Sequence, residues 1–160
     1  MTRLQKIIRL GIVLALAITA TGCQSDNTTG SDMTIAIETA EVRTDHKPIA
    51  DRFPQLGSFV NTHWVGGRMG SDQIPGPSSY FIEAVVTLDP DDAVQLRSRY
   101  DFTRAPTPPQ PPASLAPFME RGSTWSTSIE LESGFGPSDW VSNVYVSLED
   151  GLAYVSARGE

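Results

Sequence analysis

Residues 140–158 read WVSNVYVSLEDGLAYVSAR, and this stretch decides the fold. Val144, Val146 and Leu148 fall on one side of an extended chain while Asn143, Tyr145 and Ser147 fall on the other, the period of two expected of a strand with two different faces. Asp150-Gly151 is a hairpin signal, because a tight turn that matches the strand twist needs positive φ, which Gly tolerates. A two-residue turn there predicts Leu148 opposite Ala153, Val146 opposite Val155 and Val144 opposite Ala157. The same register sets Asn143, Ser147 and Tyr145 against Arg158, Tyr154 and Ser156 on the other face. Apolar residues then meet apolar partners, so pattern and turn chemistry agree.

Upstream, residues 80–88 form the clearest single strand. Tyr80, Ile82, Ala84, Val86 and Leu88 make a continuous apolar face, and Phe81, Glu83, Val85 and Thr87 a mixed one. Alternation also predicts strands over 58–65, ending at Gly66-Gly67, and over 124–132, with Trp125, Thr127, Ile129 and Leu131 on its dry face. Asp89-Pro90-Asp91-Asp92 supplies an N-cap, a first-turn proline and two carboxylates at the positive end of a helix dipole. These predict a helix over 90–99. A shorter helix is expected within 45–53, with Ile49 and Phe53 on one face, and Pro54 ends it. The run 34–43 fits strand or helix equally.

Residues 105–117 hold half of the 12 prolines and read as a stiff polyproline II crossing, pinned to the core by Leu115, Phe118 and Met119. Residues 67–79 form a loop longer than a hairpin turn. The expected fold class is α+β, mainly an antiparallel sheet of about five strands with one main helix packed on one face. The opposite face is expected to be polar and partly aromatic.

The chain opens with Arg3, Lys6 and Arg9, followed by an uncharged apolar run over 10–20, a signal-like length short of the roughly 20 residues that span a bilayer. Ala20-Thr21-Gly22-Cys23 resembles the bacterial lipobox, in which a thiol takes a diacylglyceryl group before the leader is removed. Ala20 stands where that family usually has Leu, and the same three residues also make a small-x-small site for ordinary signal cleavage. The resemblance implies 1–22 as signal peptide, 23–33 as lipidated Cys23 plus flexible tether, and 34–160 as a single α+β domain. Cys23 is the single cysteine, and acylation would consume a thiol that exported chains seldom leave free. The expected location is the extracytoplasmic face of the cell membrane, with the membrane itself a partner through the lipid on Cys23. Two acyl chains hold stably where one is marginal.

The formal net charge is −7, from 12 basic and 19 acidic residues. Without the three basic leader residues it is 9 − 19 = −10. Repulsion from phosphate excludes nucleic acid as an expected partner. There is no Walker A lysine, GxGxxG, GxSxG or HExxH pattern, so no enzyme activity, cofactor or metal is expected.

The candidate interaction surface consists of Trp64, Glu83, His63, Phe135 and Trp140. His63 and Glu83 would form a polar site if they shared a face on paired strands; otherwise Glu83 faces water on the wet side of the sheet. Phe135 lies in the turn SGFGPSD (133–139), where a core is hard to reach. The lipobox, the acidic tethered domain and the segment IPGPSSYFIEAVVTLDPDD together are similar to small exported lipoproteins of high-GC Gram-positive bacteria, which implies location and no particular activity. The expected function is a membrane-anchored module binding a protein or envelope component. A small-molecule binding module, with its pocket between helix and sheet or at the 66–79 loop, is the alternative, and a hydrolase using His63 and Glu83 the third reading.

Overall fold

The computed structural model describes residues 37, 39–69, 79–119 and 124–160. The leader, Cys23, the tether and most of the 67–79 loop lie outside the described residues. Among these residues the elements run α1 (Lys47–Arg52), β1 (Phe59–Met69), β2 (Ser79–Leu88), α2 (Pro90–Arg99), β3 (Thr103–Arg104), β4 (Ser126–Thr127), α3 (Ile129–Ser133), β5 (Trp140–Ser147) and β6 (Leu152–Gly159). The strands form one antiparallel sheet in the order β1-β2-β6-β5-β4-β3. The fold is therefore α+β and mostly sheet. It has six strands where alternation indicates about five, and short helices accompany the main one.

α2 has the bounds its capping residues predict: Asp89 Oδ1 accepts from the Asp91 amide at 3.0 Å, and Pro90 opens the helix. Leu96 and Ala93 pack into the core on one face of the sheet. α1 brings Ile49 to the same core, followed by Phe53 and Leu56, and Pro54 starts a 3-10 turn instead of a further α-helical turn.

Three strand expectations are corrected. The β5–β6 hairpin pairs Ser147 with Leu152, Val146 with Ala153 and Val144 with Val155, a register two residues away from that of a two-residue turn. The connection is the four residues 148–151, with Gly151 at φ 63°. Ser147 Oγ donates to Asp150 Oδ2 at 2.7 Å, and the Leu88 amide donates to the Gly151 carbonyl at 2.8 Å. A shift of two preserves parity, so every side chain keeps its expected face.

β1 runs on through Gly66-Gly67 to Met69, and a bulge at Val60 sets Phe59 opposite Leu88 and Asn61 opposite Thr87. The extra residue turns Phe59 to the Trp64 side. Over 124–132 only Ser126–Thr127 is strand. Ser128 then caps α3 by accepting from the Leu131 amide at 3.5 Å, and Leu131 is buried while Ile129 is 85% exposed. Alternation over so short a window does not separate a strand from one capped helical turn.

The second face of the sheet is not wet. Val65, Phe81, Val85, Leu152 and Tyr154 are buried there beneath Leu115, Met119 and Trp125. The proline-rich crossing is pinned as expected, and it covers this face. β2 and β6 are thus sandwiched between two cores, each fully buried aliphatic side chain contributing about 1.5–3 kcal/mol relative to exposure.

Candidate binding cleft

The register sets four residues in one row across the sheet. Arg68 on β1 lies opposite Tyr80 on β2, Tyr80 opposite Gly159 on β6, and Gly159 opposite Trp140 on β5. With strands about 4.8 Å apart, the row runs about 14 Å from Arg68 to Trp140. The next row inward on the same face is Gly66, Ile82, Ala157 and Ser142, and the third begins with Trp64. Small side chains between larger ones leave a depression at this end of the sheet. It is a cleft of about 680 Å³, lined on the sheet side by Trp64, Gly66, Ile82 and Tyr80 and roofed by Pro48 and Arg52 of α1 and by Pro137. That volume lies within the roughly 300–1,000 Å³ of small-molecule sites.

Both walls are held. The backbone of Arg43 pairs with that of Trp64 in both directions, at 2.8 and 2.9 Å, and Trp64 Nε1 donates to the Asp45 carbonyl at 3.1 Å. The Arg43 guanidinium lies over the Trp64 ring, 4.9 Å from its centroid, a cation–π arrangement. On the far wall, Trp140 lies across Gly159, where any Cβ would collide with its ring. Gln55 joins the segment after α1 to the turn before β5: its amide nitrogen donates to the Gly134 carbonyl, and its oxygen accepts from the Gly136 amide at 3.5 Å.

Trp64 and Trp140 therefore belong to one cleft, Trp64 as a buried floor residue and Trp140 as a half-buried wall. Phe135 does not join them. It is 3% exposed and stacks on Phe53 with centroids 5.0 Å apart, because α3 and Gly136 turn it inward. The turn 133–139, expected to expose it, is closed over the core.

His63 and Glu83 do share a face, the one opposite the cleft, but each is engaged separately. The His63 ring stacks on Phe118 at 3.6 Å, and partial burial lowers its pKa. Glu83 is 3% exposed, not on a wet face. Its Oε2 accepts from Tyr154 Oη at 2.7 Å, and its Oε1 from Ser156 Oγ and Arg158 Nη2, each at 3.0 Å. Burial pushes the Glu83 carboxyl up, against the opposing pull of the Tyr154 hydrogen bond, the Arg158 charge and the Ser156 hydrogen bond. Burial, reinforced by Glu83, pushes the Tyr154 hydroxyl up as well. A buried carboxylate met by three donors from one neighbouring strand ties β2 to β6.

Among the described residues no group of three or more His, Cys, Asp or Glu side chains is placed to hold a metal. No helix there is long and apolar enough to cross a membrane. No protein-family model, curated protein or solved structure matches this chain. The cleft residues that alternation and motif reading do not single out include Arg43, Arg52 and Arg68. Their sequence signal is weak, since each is an isolated basic residue, and only the tertiary structure assembles them.

Proposed function

We propose that this chain is a lipid-anchored, extracytoplasmic binding module that holds a small molecule in the cleft between Trp64 and Trp140. The observation that carries the reading is the cleft itself: ligand-sized, at the rim of the sheet, with two tryptophans and a tyrosine among its walls and three arginines lining it. Aromatic walls with a few polar groups are the usual make-up of such sites. Its walls are braced by the Arg43–Trp64 pairing and by the seating of Trp140 on Gly159, so little ordering is needed on binding. The anchor rests on Ala20-Thr21-Gly22-Cys23 and the basic, then apolar, leader. Binding is favoured over hydrolysis because His63 is stacked on Phe118 and Glu83 is held by Tyr154, Ser156 and Arg158.

A thermal-shift screen of the folded domain tests the site: ligands that raise the melting temperature of the wild type should lose that effect in Trp140→Ala. Membrane fractionation tests the anchor, with wild type expected in the membrane and Cys23→Ser released. A second reading, contact with an envelope protein, is favoured by Val60 and Val94, 62% and 68% exposed, which flank a 420 Å³ groove at the opposite end of β1. Cross-linking from native membranes that depends on both valines would support it.

A further inference from the structure

We infer that the cleft takes a neutral saccharide, its ring laid on Tyr80 and Trp140 and its hydroxyls bonded to the charged side chains around them. The inference rests on the cleft being the binding site and adds the chemical class of its occupant. The aromatic platform comes from the strand register. Tyr80 on β2 and Trp140 on β5 lie two strands apart in one row, their backbones about 10 Å from each other, and the residue between them is Gly159. Because Gly159 has no side chain, the Trp140 indole lies across β6, with Cγ, Cδ1 and Nε1 where a Cβ would stand beside Tyr80. Two aromatic side chains therefore share one face at the rim of the cleft. Tyr80 is 44% exposed and Trp140 half-buried, unlike Trp64, which is buried in the floor.

The charges around this platform are of both signs. Among the described residues, Arg43 and Arg52 line the cleft together with Asp139 and Glu160, and all four are exposed. An anionic ligand meets the carboxylates and a cationic one the guanidinium groups, so neither sign matches the lining. A wholly apolar ligand takes water from these side chains and returns no hydrogen bond. A zwitterion needs the two signs sorted to its two ends. Hydroxyl groups need only that both be present, since each donates one hydrogen bond and accepts others. A pyranose carries hydroxyls around the edge of a ring whose C–H faces are apolar and weakly positive, the complement of the negative face of an aromatic ring. The arginines have donors to offer: the Arg43 contact with Trp64 is made by its charge over the ring and not through its N–H groups, and Arg52 uses one guanidinium nitrogen on the Pro48 carbonyl at 3.2 Å.

The experiment follows the indole N–H resonances of the nitrogen-labelled full chain as glucose, galactose, mannose and N-acetylglucosamine are added, each as monomer and as trimer. At least one should move the Trp140 resonance saturably and leave in place that of Trp125, which packs on the opposite face of the sheet. Tyr80→Ala should weaken that binding about tenfold and Tyr80→Phe about twofold or less, because stacking needs the ring and not the hydroxyl. The uronic acid and the amino sugar related to the bound saccharide, one negative and one positive, should bind no tighter than the neutral form. A trimer that binds more tightly than its monomer identifies a stretch of envelope polysaccharide as the source, and equal binding a free sugar. The inference is overturned if no saccharide moves Trp140, if a charged counterpart binds more tightly, or if Tyr80→Ala binds as the wild type does. The reading of the cleft as a ligand site is judged separately: where Trp140→Ala cancels the stabilisation by a ligand that is not a saccharide in the thermal-shift screen, the cleft stands and the class falls.

Discussion

Arg43 and Trp64 hold each other twice, by a pair of backbone hydrogen bonds at 2.8 and 2.9 Å and by the guanidinium lying 4.9 Å over the indole. The pairing covers part of the outer edge of β1, which would otherwise expose unpaired amides. It also fixes the indole for its third contact, Nε1 to the Asp45 carbonyl.

Trp64→Phe keeps most of the apolar area and deletes that third contact. The expected cost is about 0.5–1.5 kcal/mol of stability, read from urea unfolding. Amide exchange at Arg43 should speed up with it, because the 41–45 segment loses its tether to the ring. Unchanged exchange there would mean that the ladder bonds alone hold the segment.

Gly159 leaves the space into which the Trp140 ring fits. Gly159→Ala should displace that ring and destabilise the domain by about 1–3 kcal/mol, the usual range for overpacking. It should also weaken any ligand of the cleft, whereas Gly134→Ala, where nothing lies within 4 Å of an added Cβ, should not. Indole chemical shifts report the displacement directly.

The Glu83 carboxyl titrates above its ordinary value near 4.5 in the fold, chiefly through burial. The folded state therefore holds this proton more tightly than the unfolded chain does. Its contribution to stability is present below pH about 4.5 and is lost as pH rises through the raised folded value. Glu83→Gln removes the effect, so the difference in unfolding free energy between variant and wild type should move in the variant's favour as pH rises through that window. Parallel curves would show that Tyr154, Ser156 and Arg158 compensate the burial in full.

Two helix caps offer a local test. Asp89→Ala and Ser128→Ala each delete a side-chain acceptor for a first-turn amide, and each should cost about 1 kcal/mol. Asp89 should cost the more, since its bond is 3.0 Å long against 3.5 Å for Ser128. Equilibrium unfolding in urea checks both.

The amino-acid sequence by itself determined what depends on neighbours a few residues apart. Asp89-Pro90-Asp91-Asp92 announced α2 with its bounds because capping bonds form within one turn. The alternation of 80–88, 140–147 and 152–159 assigned each side chain to a face because a strand's period is two whatever it pairs with. Leu115 and Met119 were legible as anchors of the crossing because large apolar residues at the end of a proline run have few other places to go.

Only the tertiary structure decided what depends on which strand lies beside which. β6 lies between β2 and β5, and from that placement follow the burial of Glu83 beside its three β6 donors and the row Arg68, Tyr80, Gly159, Trp140. Phe135 turned inward because Phe53, far away in the chain, supplies the ring it stacks on. Periodicity encodes the face a residue takes but not the partner it meets there. A site built from rows across strands is therefore invisible until register and strand order are known.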